Sequence, residues 1–217
     1  MIELAVFDIA GTTVDEHGAV YRALAEATGV SEEDVVPWMG ADKTEAIFAL
    51  LGQSGKVVTG DVVADTYQDF RRRLAEAYEL KPPVALPGVP ETIGRLRASG
   101  VKVALTTGFD RDVTTSILST LKWEDRVDAV VCTDDVPAGR PAPYMIFRAM
   151  EATGVVDVSR VLVAGDTTRD LEAGTNAGAR MVVGVLTGGQ DAATLGAVRH
   201  THLLPGVADL LPYLASA

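Results

Sequence analysis

Two aspartates follow predicted strands, and their spacing from later polar residues indicates chemistry on phosphorus. Asp8 comes directly after the apolar residues 4–7, and Asp166 follows a second predicted strand over residues 160–164. Two carboxylates at neighbouring strand ends can hold Mg²⁺, which takes a few hard oxygen ligands together with water and substrate phosphate. Asp170 lies about one helical turn further on and is placed to support such a metal. A carboxylate beside a divalent cation can attack phosphorus, which makes Asp8 the candidate nucleophile. The alternative is that Asp8 only caps the turn that follows it.

Further groups can bind the oxygens of an anionic substrate. Thr107 offers a hydroxyl and Gly108 an unobstructed N–H at the end of another predicted strand, and Thr106 is the second choice for the hydroxyl. Arg140 follows the next strand and can neutralise two oxygens with its forked guanidinium. Each of these residues alone is more typical of a turn or of the surface. Their order and spacing, taken together with the two aspartates, favour a phosphate site.

Alternating strands and helices are expected to bring these groups together. From residue 86 onward strands are predicted over 101–105, 127–132, 160–164 and 181–185, with helices between them. This alternation implies right-handed crossovers and a parallel sheet, which binds ligands at the carboxyl ends of its strands. The part of the chain before this alternation differs, because its spacing predicts only helices, over 21–28, 31–38, 43–51 and 61–79. Asp61 is predicted to cap the last of these helices. We therefore predict an α/β core with a helical insertion.

Composition and charge exclude several classes of protein. The chain has 217 residues, of which 47% are hydrophobic, and a net charge of −11. Such a charge would repel a nucleic-acid backbone or an anionic membrane surface, so we expect neither as a partner. The single cysteine, Cys132, leaves no disulfide framework, and Glu3 rather than a basic segment precedes the first apolar stretch. No apolar stretch reaches the length needed to span a membrane. We expect a cytoplasmic protein.

Four segments in this order resemble the haloacid dehalogenase superfamily. They are Asp8-x-Ala-Gly-Thr-Thr, Leu105-Thr-Thr-Gly, Gly139-Arg-Pro and Gly165-Asp-Thr-Thr-Arg-Asp. The resemblance implies a Rossmann-like parallel-sheet core over residues 1–14 and 84–217 and an all-helical cap domain over residues 15–83. It implies Mg²⁺ as the cofactor and an aspartyl-phosphate on Asp8, with the metal bound by Asp8, the Ala10 carbonyl, Asp166 and Asp170. Phosphate would be bound by Gly11, Thr12, Thr106, Thr107 and Gly108, of which Thr107 is the better match to the family's hydroxyl.

Two departures from that pattern resemble one branch of the superfamily, the phosphonatases. Most phosphatases of the superfamily have an aspartate two residues after the nucleophile and a lysine before the last motif, where this chain has Ala10 and Arg140. Cleavage of an ester P–O bond expels an alkoxide, which needs a proton donor that Ala10 cannot provide. Cleavage of a C–P bond needs an electron sink for the leaving carbon, and an iminium formed with a lysine provides one. The implied substrate is a 2-oxoalkyl phosphonate such as phosphonoacetaldehyde.

Lys43 is the candidate for that amine. The segment Met39-Gly-Ala-Asp-Lys resembles the cap segment that bears the phosphonatase Schiff-base lysine, and it implies substrate contacts for Met39 and Gly40. The start of a helix lowers the pKa of Lys43 and favours the free amine. The alternative is a solvent-exposed lysine that Asp42 keeps charged. The two departures described above favour the catalytic role.

Two positions depart from the phosphonatase pattern. Ala46 stands where the branch has a histidine about one turn after the lysine, thought to shuttle protons, and Phe109 replaces an aromatic residue that bears a hydroxyl. His17, in the turn before the cap, could face the site, whereas His200 and His202 are expected on the surface. These differences leave the substrate open between phosphonoacetaldehyde and a related 2-oxoalkyl phosphonate.

Three functions stay open from the sequence. The first is a Mg²⁺-dependent hydrolase of a 2-oxoalkyl phosphonate, in which Lys43 forms an imine and Asp8 takes the phosphoryl group. The second is a phosphomonoesterase that manages without an acid at residue 10, and the third is a non-catalytic binding protein on the same fold. We expect the cap to close over the core during turnover. Trp38 and Met39 are expected to line the pocket or to pack a homodimer through the cap.

Overall fold

A parallel six-stranded sheet lies at the centre of the computed structural model, which describes residues 1–55 and 57–214. The strands are β1 (Leu4–Asp8), β2 (Val14–Asp15), β3 (Val84–Ala85), β4 (Lys102–Thr106), β5 (Ala129–Val131), β6 (Val161–Gly165), β7 (Met181–Val185) and β8 (His202–Leu204). The large sheet has the order β5-β4-β1-β6-β7-β8, and all its neighbours are parallel. This order places β1 in the middle of the sheet.

Helices cover both faces of the sheet and make up most of the insertion. They are α1 (Ala19–Thr28), α2 (Glu32–Val35), α3 (Lys43–Gln53), α4 (Gly60–Leu80), α5 (Val89–Ala98), α6 (Arg111–Leu121), α7 (Tyr144–Thr153), α8 (Thr168–Ala177), α9 (Ala192–Gly196) and α10 (Leu211–Leu214). Short 3₁₀ turns lie at Val36–Trp38, Thr133–Asp135, Val158–Arg160 and Val207–Asp209. Among the helices of the described chain, none combines the length and the apolar character needed to cross a membrane.

The sequence of β1 explains its central position. Every residue of the strand is buried, and a parallel strand covered on both faces needs a nearly continuous apolar run. Phe7 packs with Leu105 in the larger hydrophobic cluster, whereas Leu4 and Val6 face the opposite side, where they pack with Val163. The two faces of β1 thus anchor it in two parts of the core, which fixes the position of its carboxyl end.

Helices α1–α4 form an insertion between β2 and β3. These two short strands pair antiparallel, with Val14 opposite Ala85 and Asp15 opposite Val84. The chain therefore leaves the core and returns to it through a two-stranded ribbon, and α1 packs against α4 within the insertion. Asp15, predicted within an all-helical segment, lies in this ribbon. The domain limits at residues 15 and 83 stay a prediction. Lys56 of the predicted cap and residues 215–217 of the predicted core lie outside the described residues.

Three local predictions were wrong. Helix α4 begins at Gly60 and its cap is Thr59, whose hydroxyl oxygen accepts from the N–H of Val62 at 3.3 Å, and not Asp61. The chain after α2 tightens into a 3₁₀ turn that contains Pro37 instead of continuing as an α-helix. The sequence predicts no strand near the C-terminus, yet β8 pairs with β7 at the edge of the sheet.

Candidate active site

Asp8 lies at the carboxyl end of β1, where the sequence places the candidate site. The residue is only 5% exposed, and it stands beside Thr106 in the register of β1 and β4. The chain then turns sharply: Thr13 donates its hydroxyl to the Asp8 carbonyl at 2.9 Å, and Gly11 has a positive φ of 85°. A Cβ on Gly11 would lie 2.5 Å from a carboxylate oxygen of Asp166. The glycine thus allows this turn to approach the second carboxylate closely.

Arg140 joins two carboxylates of the site. Its Nη1 atom donates to Asp8 Oδ1 at 2.5 Å and also to Asp170 Oδ1, and all three side chains are buried. The sequence predicts that this guanidinium binds substrate oxygens, but in the structure it positions the candidate nucleophile. The buried Nε of Arg140 has no hydrogen-bond partner among the described residues. One donor of the guanidinium therefore stays available for an oxygen of a substrate.

Asp166 and Asp170 follow β6 at the start of α8. Thr12 donates its hydroxyl to Asp166 Oδ1 at 2.8 Å, and the N–H of Gly189 donates to Oδ2 at 3.3 Å. Asp170 forms a capping box with Thr167, which donates to Oδ2 from its hydroxyl at 2.6 Å and from its N–H at 3.1 Å. Both oxygens of Asp170 are therefore engaged. Of the two roles considered for it, support of a metal site is favoured over direct ligation.

Burial dominates the electrostatics of these groups. It raises the pKa of Asp8 to about 6, against the lowering effect of the Arg140 charge. Burial, together with the charges of Asp8 and Asp170, raises the pKa of Asp166 well above its ordinary value. Burial by itself lowers the pKa of the Arg140 guanidinium, but Asp170 and Asp8 more than offset this and the net change is upward. Crowded, buried carboxyl groups of this kind favour the binding of a cation.

The oxygen donors at this edge of the sheet suit Mg²⁺. Within the part of the chain that the structure describes, no three histidine, cysteine, aspartate or glutamate side chains are grouped as a metal cage. Mg²⁺ does not need one, because one or two carboxylates, water and substrate phosphate are its usual ligands. Asp8, Asp166 and the Ala10 carbonyl offer this number of protein oxygens, and Ala10 and Asp166 line one cavity of about 220 Å³. The residues present therefore fit this ion.

Lys43 is the first residue of α3 and faces the core. It is only 4% exposed. Its Nζ atom donates to the Ala41 carbonyl at 2.9 Å and lies 5.3 Å from the centre of the Phe109 ring. A Cβ on Gly108 would lie 3.4 Å from the same nitrogen. The alternative of a solvent-exposed lysine is therefore wrong.

The surroundings of Lys43 favour a neutral amine. Burial lowers the pKa of Lys43 to about 8, and the positive charge of Arg140 acts in the same direction. Three carboxylates act in the opposite direction: Asp8, Asp42 and Glu16. Asp42 is the helix cap of α3 and accepts hydrogen bonds from its first turn. The position of Lys43 at the start of a helix already predicts a lowered pKa from the sequence. In the structure, burial is the largest cause of this lowering.

The loop before α3 lies directly on the core. Gly40 has a positive φ of 78°, and a Cβ there would lie 2.5 Å from the hydroxyl oxygen of Thr167. The Ala41 carbonyl approaches Gly108 so closely that no side chain fits between them. Met39 is buried and lines the 220 Å³ cavity. The insertion thus contacts the candidate site through the segment that the sequence singles out.

Thr106 and Thr107 are buried, and Thr106 stands opposite Asp8 in the register of β1 and β4. Thr106 is the last residue of β4, and Thr107 follows it. The hydroxyl oxygen of Thr107 accepts a hydrogen bond from the N–H of Phe109 at 3.2 Å. A hydroxyl that accepts from the protein keeps its own O–H for donation to an oxygen of a substrate. This geometry is compatible with the role predicted for Thr107.

Glu16 is a buried residue of the site that the sequence does not single out. It lines the same cavity as Met39, although its sequence position suggests only a turn after Asp15. His17, which the sequence allows to face the site, is held instead by Asp15 at 3.1 Å and by the carbonyl of Pro82 at 3.2 Å. The only sequence signal for Glu16 is an acidic side chain next to Asp15 in the turn, and this signal is weak.

Three further contacts join the insertion to the core. Tyr67 of α4 donates its hydroxyl to Asp110 at the start of α6. Arg169 of α8 pairs with Glu45 of α3 at 3.0 Å, and its guanidinium lies 5.8 Å from the centre of the Trp38 ring. Trp38 therefore packs on the core in this structure, and a homodimer through the cap stays a prediction. None of these contacts between distant segments has a local signal in the sequence.

Comparison with known proteins identifies the family. The family model for haloacid dehalogenase-like hydrolases matches residues 5–184. This chain belongs to that family. A phosphonoacetaldehyde hydrolase from Bacillus cereus is 32% identical over 210 residues, which cover 88% of this chain and 78% of the relative. This similarity confirms the predicted resemblance to the phosphonatase-like branch of the haloacid dehalogenase family.

Two solved structures match nearly the whole chain. A hydrolase from Pseudomonas syringae has a TM-score of 0.84 and 25% identity, and the match covers 99% of this chain and 98% of that one. A phosphonoacetaldehyde hydrolase like protein from Oleispira antarctica has a TM-score of 0.86 and 23% identity, with coverages of 99% and 92%. The predicted fold class, a Rossmann-like core of the haloacid dehalogenase family with a helical cap, is confirmed.

Proposed function

We propose that this chain is a Mg²⁺-dependent hydrolase that cleaves the C–P bond of a 2-oxoalkyl phosphonate, either phosphonoacetaldehyde or a related compound. The observation that carries the proposal is the position of Lys43. Its ammonium is buried between insertion and core, and the charges of Asp8 and Arg140 act on it. An amine whose charge interacts with that of a carboxylate nucleophile suits a substrate with a carbonyl at one end and phosphorus at the other.

The first half of the reaction prepares the leaving group. The neutral amine of Lys43 attacks the substrate carbonyl carbon, and loss of water leaves an iminium. A carboxylate oxygen of Asp8 then attacks phosphorus and the C–P bond breaks. The electron pair of this bond passes into the enamine, so the leaving carbon needs no proton donor at residue 10. The presence of Ala10 agrees with this step.

The second half restores the enzyme. Water attacks the phosphoryl group on Asp8 and releases phosphate, while the enamine carbon takes a proton from water and hydrolysis of the resulting iminium frees Lys43. Arg140 holds Asp8 in place for both events. Phosphate contacts are assigned to Thr106, Thr107 and Gly108, and contacts with the rest of the substrate to Met39 and Gly40. The sequence also assigns phosphate contacts to Gly11 and Thr12, but the Gly11 N–H donates to the Val14 carbonyl and the Thr12 hydroxyl donates to Asp166. Mg²⁺ at Asp8, Asp166 and the Ala10 carbonyl would supply positive charge to the phosphate oxygens.

Substitution of the lysine tests the proposal. Lys43→Arg keeps a cation in place but removes the nucleophilic amine, so phosphate release from phosphonoacetaldehyde is expected to fall about 1,000-fold or more. Lys102→Arg, at a half-exposed lysine of β4, is the control and should behave as the wild type. EDTA is expected to abolish the activity of the wild type, and added Mg²⁺ to restore it.

The same measurement separates the other two functions. Full phosphate release by Lys43→Arg, together with fast hydrolysis of p-nitrophenyl phosphate, would contradict C–P cleavage and favour a phosphomonoesterase. Absence of turnover with both substrates, in the presence of Mg²⁺, would favour a binding protein. A cytoplasmic location stays a prediction from the sequence.

A further inference from the structure

Residues 187–189, which follow β7, lie beside the proposed Mg²⁺ site and have no role in the function proposed above. They line the cavity of about 220 Å³ that Ala10 and Asp166 also line. Their sequence is Thr-Gly-Gly, so the segment contributes one hydroxyl group and backbone atoms but no charged side chain. It therefore acts on the site through hydrogen bonds and close approach.

The core holds both ends of this segment. Before it, the N–H of Leu186 donates to the carbonyl of Leu204 in β8 at 3.0 Å. After it, the side-chain oxygen of Gln190 accepts from the N–H of Thr168, the first residue of α8, at 2.7 Å. A segment tied to the sheet on one side and to α8 on the other can hold its neighbours in place.

Gly188 lies against the side chain of Asp166. A Cβ on Gly188 would lie 1.8 Å from the Oδ2 atom of Asp166 and 2.2 Å from its Cγ atom. The φ of Gly188 lies outside the left-handed region, so the carboxylate, and not the backbone conformation, excludes a side chain here. The same Oδ2 atom accepts from the N–H of Gly189 at 3.3 Å and lies 2.5 Å from the position of a Cβ on Gly11. The backbone of three glycines thus restricts where this carboxylate can stand.

Thr187 holds the turn that carries the Ala10 carbonyl. Its hydroxyl donates to the Gly11 carbonyl at 2.6 Å, and the Gly11 N–H donates to the Val14 carbonyl at 2.8 Å. Both backbone polar groups of Gly11 are therefore engaged. The Ala10 carbonyl belongs to the same planar peptide unit as the Gly11 N–H. These two bonds together fix the direction in which the Ala10 carbonyl points.

We propose that Thr187 and Gly188 are positioning residues for the Mg²⁺ ligands Ala10 and Asp166, an inference that rests on the Mg²⁺ site of the proposed function. Thr187 acts through the peptide unit of the Ala10 carbonyl, and Gly188 leaves the space that the Asp166 carboxylate occupies. Mg²⁺ demands nearly ideal octahedral geometry with oxygens at about 2.0–2.1 Å. Displacement of either oxygen is therefore expected to weaken its binding.

A role in packing alone makes a different prediction for Thr187. Thr187→Val keeps the shape of the side chain and loses the hydrogen bond, whereas Thr187→Ser keeps the hydroxyl and loses a methyl group. If the residue only fills space, valine is the better replacement. If its hydroxyl positions the turn at Gly11, serine is the better replacement, so the two variants reverse their order between the two explanations.

The experiment measures the Kd of Mg²⁺ alone by isothermal titration calorimetry, without substrate. Gly188→Ala and Thr187→Val are each expected to raise this Kd about tenfold to 100-fold, and Thr187→Ser to retain the wild-type value. Two matched controls are expected to leave it unchanged. Gly94→Ala adds a Cβ with no atom within 4 Å, and Thr120→Val removes a hydroxyl that donates only within its own helix, at 2.9 Å. Thermal unfolding in EDTA shows whether each variant is folded.

Wild-type affinity for Mg²⁺ in folded Gly188→Ala would overturn the inference for the glycine. Binding by Thr187→Val as tight as that by Thr187→Ser would overturn it for the threonine. If Gly188→Ala fails to fold, the two Thr187 variants decide alone. A wild-type protein that does not bind Mg²⁺ would overturn the metal site of the proposed function itself, which distinguishes the two failures.

Discussion

Lys43 is expected to react as an unusually acidic lysine. Burial lowers its pKa from 10.5 to about 8, which increases the neutral fraction at pH 7 about 300-fold over a lysine with the ordinary value. Only the neutral amine attacks an electrophile, and protonation below pH 8 removes it. The reactivity of Lys43 is therefore expected to rise with pH up to about 8 and then to level off.

Cyanate labelling measures this profile without substrate chemistry. The protein is pulsed with cyanate between pH 6 and 10, and carbamylation of the Lys43 peptide is followed by mass spectrometry. The buried amine reacts when the cap opens, but the closed state holds most of the molecules and so sets the observed midpoint. The same peptide in urea is the control, where its reactivity is expected to keep rising toward the ordinary lysine pKa.

The pH at which carbamylation of Lys43 reaches half its maximum tests whether burial lowers the pKa of this lysine. A native midpoint near pH 8 and a higher one in urea are expected if burial and the Arg140 charge act on Lys43 as the structure implies. A native midpoint above pH 9.5, or identical profiles in the two conditions, would refute the physical explanation of its reactivity.

Two more substitutions test the contacts around the site. Gly40→Ala is expected to reduce turnover about tenfold to 100-fold, because its Cβ would lie 2.5 Å from the Thr167 hydroxyl oxygen, whereas Gly55→Ala has a similar positive φ and open space around it. Equal losses of phosphate release in both variants would contradict this. Arg140→Met is expected to lower the free energy of unfolding by about 3–5 kcal/mol, because two buried carboxylates lose their partner. Urea denaturation measures this change, and a loss below about 1 kcal/mol would show that the ion pairs do not stabilise the fold.

The core was predictable from the sequence because its signals are local. The apolar run before Asp8 and the alternation of strands and helices identify a parallel sheet. The same rule places Asp8, Asp166 and Arg140 at one edge, where the structure brings them together. The two-residue strands β2 and β3 have no such signal, because their pairing depends on segments about 70 residues apart. The edge strand β8 is similarly too short for a recognisable pattern.

The details of the site depend on contacts that no local pattern encodes. The burial of Lys43 depends on how the loop around Gly40 sits on the core, and Arg140 binds carboxylates rather than standing free because Asp170 comes from the next helix. Glu16 becomes notable only once the cavity beside it is known. The sequence could therefore predict which residues meet, but not which partner satisfies each charge.

The central claim is that one substrate is bound by Lys43 at its carbonyl carbon and by Asp8 at its phosphorus. Cyanoborohydride trapping with phosphonoacetaldehyde, in the wild type and in Asp8→Asn, tests it most directly. Mass spectrometry of the Lys43 peptide is predicted to show an adduct that retains the phosphonate group in Asp8→Asn, and one that has lost it in the wild type. An adduct without phosphorus in Asp8→Asn, or no adduct on Lys43 in either protein, would contradict the claim.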